Sequence, residues 1–207
     1  YYKKSLKHRK QNRDLNGVVD SFNNIIRTHE NLNENKATIE WCKRAKEWVE
    51  GIEQIDLSDK ASEFELRRLK ADVSEETTDT LYHCAIKHIL DNENKTAADL
   101  FTEIWNRQTQ FSDDNDVFNL TISAGVFLAA EARRFNNREA AEKLIRLVEL
   151  QDEYLASATT VLFDYLVNGE TETTPEELRN QADEQEQKVS EHELKAAAFL
   201  LNSLINK

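Results

Sequence analysis

The sequence predicts an all-α protein of about ten antiparallel amphipathic helices stacked as helix pairs. Three observations lead there. Only four glycines (Gly17, Gly51, Gly125, Gly169) and one proline (Pro175) occur in 207 residues, whereas β-sheet proteins use these residues freely at hairpin turns and bulges. Apolar residues recur at i, i+3, i+4 and i+7, as one buried helical stripe requires. Short polar residues stand just before several of those stripes, where they accept hydrogen bonds from the orphan N–H groups of a first helical turn.

In chain order, residues 1–14 form a basic segment, and a stripe of Leu15, Val18, Val19, Phe22, Ile25 and Ile26 follows it. Asn35 opens a second stripe made of Trp41, Cys42, Ala45, Trp48, Val49 and Ile52. Further starts are expected at Ser58, Ser74, Thr96, Asp113, Asn136, Asp152 and Thr174, with one more at Ser190. Thr174-Pro175-Glu176-Glu177 is the clearest, having a capping box and proline at the first helical position. These starts fall into two interleaved series, 35, 74, 113, 152 and 58, 96, 136, 174, each advancing by about 39 residues. A fixed step of this size marks a stacked helix-pair array. Aligned on it, the columns Cys42/Leu81/Leu120, Ala45/Cys84/Ser123/Leu162 and Val49/His88/Phe127/Leu166 are mostly small or apolar and form the expected inward face. An irregular helical bundle is the alternative architecture.

Through Ala85, Ala98 and Phe101 in one pair and Ala129, Ala141 and Ile145 in the next, residues 35–170 resemble the tetratricopeptide-like α-solenoids. Small residues at those places let two helices approach closely. The family's step is about 34 residues with a proline closing each unit, and this chain departs from both. The resemblance implies a binding scaffold and carries over no individual residue.

Known catalytic patterns are missing. His29-Glu30 and His192-Glu193 begin the HExxH zinc pattern, but the fifth position holds Asn33 in one and Ala196 in the other. No histidine has glutamate three residues before it, so the ExxH ligands of di-iron bundles are absent as well. The glycines lie too far apart for a phosphate-binding loop. Cys42 and Cys84 have no metal or redox spacing and read as buried thiols of a reducing compartment. His83, Cys84 and His88 crowd one helix, but adjacent helical residues point about 100° apart, so Cys84 reads as packed and His88 as partly buried. Trp41 and Trp48 share their stripe with Ala45 and Val49 and are expected in the core. The longest apolar runs, 125–130 and 196–201, fall far short of the ~20 residues of a membrane span. We therefore expect no cofactor, no metal, no catalysis and an intracellular, cytoplasmic or nuclear location.

Charge gives the sharpest expectation about partners. The net charge is −12, yet Lys3, Lys4, Lys7, Arg9, Lys10 and Arg13 all lie in the first thirteen residues, where no acid occurs, so the rest of the chain carries −18. Such a field favours a basic protein or peptide. The expected organisation is a basic segment 1–14, a helix-pair array 15–169, and an acidic C-terminal helix pair 170–207 docked on the array. The expected function is a non-enzymatic scaffold that binds a basic or helical segment of a partner through Glu176, Glu177, Asp183, Glu184 and Glu186, with Asp113, Asp114 and Asp116 as a further acidic group. The alternatives are an adaptor for nucleic acid or anionic membrane, whose phosphates meet the six basic residues of the N-terminus, and an enzyme whose site leaves no local motif.

Overall fold

The structure is a computed structural model that describes residues 1–52, 63–107, 115–151, 155–185 and 188–207, with the side chains at 63–65, 115–117 and 188–189 excepted. Every regular element among these residues is helical. The helices are α1 (Tyr2–Gln11), α2 (Leu15–Asn31), α3 (Asn35–Gly51), α4 (Glu63–Leu90), α5 (Asn94–Trp105), α6 (Asn115–Arg134), α7 (Arg138–Glu149), α8 (Ser157–Asn168), α9 (Pro175–Glu184) and α10 (Lys188–Ile205). The all-α class is as predicted. No described helix is long and apolar enough to cross a membrane.

The chain divides into two compact units, Tyr1–Leu81 and Tyr82–Lys207. In the first unit α2 packs on both α1 and α3, burying Val18, Val19, Phe22, Ile25 and Ile26 against Leu6 of α1 and Cys42, Ala45 and Val49 of α3. Arg27 of α2 makes a two-pronged ion pair with Glu76 of α4, at 2.6 and 2.8 Å. In the second unit α6 is the centre. It packs on α5, α7, α8 and α10, so its residues from Thr121 to Phe127 are buried on every side. Phe127 stacks on Phe101 of α5 with ring centroids 5.1 Å apart, and Tyr82 of α4 meets both rings edge-on.

The constant step does not hold. Ser74 lies inside α4, which runs unbroken for 28 residues, because the buried stripe Leu69, Val73, Thr77 and Leu81 passes through it without a change of phase. Thr77 and Thr78 turn their hydroxyls back onto the carbonyls of Val73 and Ser74, as side chains inside a continuous helix do. α10 likewise begins at Lys188, before the expected Ser190. The starts expected at Ser58, Asp113 and Asp152 lie outside the described residues. Contacts depart from a simple stack as well: α6, α8 and α10 pack pairwise on one another, and α9 packs on α10. In a one-dimensional array each repeat touches only its neighbours.

Three of the helix hairpins share one corner. The chains leaving α2, α4 and α6 each place an asparagine in the left-handed region, Asn33 (φ 55), Asn92 (φ 63) and Asn136 (φ 57). The next residue's N–H then reaches back five residues to a carbonyl: Glu34 to His29 at 2.9 Å, Glu93 to His88 at 2.8 Å and Asn137 to Ala132 at 2.8 Å. This is the hydrogen-bond pattern of a Schellman helix end. Asparagine tolerates the left-handed conformation because its short polar side chain bonds locally. The link from α1 to α2 repeats the geometry with Arg13 (φ 54) and the bond from Asp14 to Arg9 at 3.1 Å.

Candidate functional site

α9 starts as its sequence dictates. The Thr174 hydroxyl accepts from the Glu177 N–H at 3.2 Å, and the Glu177 carboxylate accepts from the Thr174 N–H at 2.7 Å, closing a capping box behind Pro175. Those bonds hold the Glu177 carboxyl below its ordinary range. The helix buries only Leu178 and Ala182. Successive helical residues turn by about 100°, so Asp183, Glu176, Glu184 and Glu177 fall within about 120° of one another on the side away from those two. All four are exposed. Asp183 reaches Lys195 of α10 at 3.5 Å, whereas Glu176 and Glu184 have no partner among the described residues. The structure thus brings four of the expected partner-binding acids together on one helix face. Glu186, Asp113 and Asp114 lie outside the described residues, and Asp116 sits in the first turn of α6 with its side chain likewise outside.

The basic N-terminus is a helix with an orientation of its own. Leu6 is its buried residue. Arg9 is engaged with α2, donating to the Gly17 carbonyl and to Ser21 Oγ, with Asp14 and Asp20 at 3.9 and 3.7 Å. The four lysines lie elsewhere: Lys10, Lys3, Lys7 and Lys4 occupy an arc of about 120°, all exposed. At one edge of that arc the lysines meet α3. Lys3 Nζ lies 5.3 Å from the Trp41 ring centroid, and Lys10 Nζ lies 4.8 Å from Phe22 and 5.8 Å from Trp48. An ammonium over a ring face is attracted by the ring quadrupole. Partial burial lowers the Lys10 pKa. Trp41 and Trp48 are half-buried beneath these cations, which corrects the expectation of two core tryptophans; Trp105 is buried.

A polar seam runs through the interior of the second unit. Tyr82 of α4 is fully buried beside Ser123 of α6, and Ser123 Oγ lies 3.5 Å from Thr159 Oγ1 of α8. Glu193 of α10 faces Tyr82, and burial pushes its carboxyl up to about 7. Burial, and then the Glu193 charge, raise the Tyr82 phenol well above its ordinary value. Among the described residues, neither Tyr82 Oη nor Glu193 Oε1 has a partner at hydrogen-bond geometry. His192, next along α10, is lowered by burial.

Cys42 and Cys84 are both buried free thiols. His88 is buried, its Nδ1 2.7 Å from Glu93 Oε2. That pair repeats at His29 and Glu34, and the signal for it stands in the sequence as Asn33-Glu34-Asn35-Lys36 and Asn92-Glu93-Asn94-Lys95, four identical residues each following a histidine at the same distance. The repeat has neither a catalytic spacing nor the step of about 39 residues, so neither of those signals reveals it. Set against known protein families, curated proteins and solved structures, the chain matches none.

Proposed function

We propose that the protein is a non-enzymatic interaction module in which the outward face of α9 receives a basic segment of a partner. One observation carries this reading: Glu176, Glu177, Asp183 and Glu184 share an exposed arc with no basic residue inside it. The charge of the whole unit supports it. Tyr82–Lys207 has 23 Asp and Glu against 12 Lys and Arg, whereas Tyr1–Leu81 has 16 against 15, so nearly all of the negative field belongs to the unit that bears α9. α9 packs on α10, which backs its acidic face from behind, and the tetratricopeptide-like scaffold belongs to this proposal as its architectural analogy, which is a statement about fold class only.

Magnitudes decide how such a site works. An exposed ion pair contributes about 0.2–1 kcal/mol, so four of them supply at most roughly 4 kcal/mol, near a millimolar dissociation constant. Charge therefore steers and registers a basic segment, and tight binding needs added apolar contact. The test is titration of a fluorescent lysine-rich helical peptide against the full chain in 20 mM and 300 mM NaCl, with Glu176→Lys/Glu184→Lys as the control. Binding that weakens about tenfold with salt and is lost in the double variant is expected. Affinity indifferent to both would remove α9 from the binding face.

A further inference from the structure

We propose that the lysine face of α1 is a docking surface for α9 of a second copy of this chain. The inference rests on the reading of α9 given above and names one partner for it. The two faces match in extent and in sign. Each is a ten-residue helix, and each gathers four like charges within about 120° over about two turns. The arc on α1 has no acid, and α1 as a whole has none; the arc on α9 has no base. Lys4 and Lys7 have no ion-pair partner among the described residues, and neither do Glu176 and Glu184 on the other side.

The placement of α1 suits it to present cations. Leu6 and Arg9 hold the helix on α2, and Lys3 and Lys10 are held over the Trp41 and Trp48 rings. Both pairs are seven residues apart on their own helices, so α1 and α3 run side by side in the same direction. The lysine row is thereby fixed along the helix rather than left on a frayed end, which reduces the conformational entropy lost when a partner docks. Outside α1 the first unit holds 16 acids against 10 bases, so the attraction that an acidic helix meets is confined to the lysine face of α1 itself. A bilayer is a poorer occupant, because the lysine arc contains no apolar residue to insert. A long nucleic acid is poorer too, because an extended polyanion runs past the ten residues of α1 onto a surface with 16 acids against 10 bases, whereas the acidic arc of α9 matches α1 in length.

Sedimentation velocity on the full chain, over a concentration series up to about 1 mM, is the test; that ceiling follows from the millimolar affinity of four exposed pairs. In 20 mM NaCl the weight-average mass should rise with concentration, and in 500 mM NaCl it should stay at that of one chain. Lys4→Glu/Lys7→Glu should abolish the rise, and so should Glu176→Lys/Glu184→Lys. An equal mixture of the two double variants should restore it, because each then offers what the other lost. A monomer at every concentration, or association that survives the reversals, overturns the proposal. If the chain stays monomeric while the lysine-rich peptide still binds in an α9-dependent manner, the second-copy inference falls and the function proposed for α9 stands. If the peptide binding fails as well, both fall.

Discussion

Glu193 shows how one residue records its surroundings. It shares a helical stripe with Ala197, Leu200 and Leu204, all buried, so the phase of α10 carries its carboxyl inward. The phase was legible in the sequence; the burial was not, because Glu193 also ends an acidic run that reads as solvated. With a folded pKa of about 7 against an ordinary 4.5, the sign of its pH effect is fixed. Below 4.5 the carboxyl is neutral in both states and the native packing is at its best. As the pH rises from 4.5 through 7, the unfolded chain gives up its proton first and stability is lost. At 1.36 kcal/mol per unit, the loss is at most about 3 kcal/mol. Urea unfolding of the wild type and of Glu193→Gln across pH 4 to 8 should give a difference that moves in the glutamine variant's favour through that window and levels off above it. His192, lowered by burial, acts in the opposite sense and is present in both proteins, so it largely cancels in the difference. A difference independent of pH would place the Glu193 carboxyl in water.

Helices were read from the sequence with unequal success, and the reason lies in what each signal measures. The stripe columns were sound: Cys42, Leu81, Ala45, Cys84, Ser123, Leu162, Val49, His88, Phe127 and Leu166 are all buried, with Leu120 half-buried. A column tests only local phase, whereas a step tests the length of every helix and loop. One continuous helix through Ser74 was enough to break the step. The glycines separate backbone propensity from packing in the same way. Gly51 in the last turn of α3 has nothing within 4 Å of where a Cβ would stand, while at Gly125 in α6 that Cβ would lie 2.5 Å from the Trp105 ring. Alanine normally favours a helix over glycine by about 0.5–1 kcal/mol. Gly51→Ala should therefore stabilise by about that amount. Gly125→Ala should instead destabilise, by about 1–3 kcal/mol, because a rigid buried ring must move. Chemical denaturation of the pair checks it, and two changes of the same sign would show that the approach of α5 to α6 at Trp105 is looser than the geometry requires.

For the whole molecule, charge was the most legible property and its placement the least. Composition gave −12, and the basic first thirteen residues were plain. That Lys3 and Lys10 sit over aromatic rings of α2 and α3, and that Arg9 is engaged with α2, depended on the α1–α2 turn, which folds a segment back that reads locally as solvated. The partition into a nearly balanced unit and one with 23 acids against 12 bases sets the response to salt. Like charges on a compact unit repel one another and oppose folding, whereas ion pairs such as Arg27–Glu76 and Arg134–Glu131 favour it. Exposed pairs contribute little, about 0–1 kcal/mol each, while repulsion accumulates over every surplus acid. Between 0.01 M and 1 M salt the screening length falls from about 30 Å to about 3 Å, which removes most of the repulsion. Calorimetry of dilute protein, kept below any concentration at which it associates, should show the melting temperature rising by a few degrees with NaCl over that range. The rise should be smaller in Glu176→Lys/Glu184→Lys, which removes part of the surplus. A melting temperature that fell with salt would mean that the ion pairs outweigh the field of the second unit.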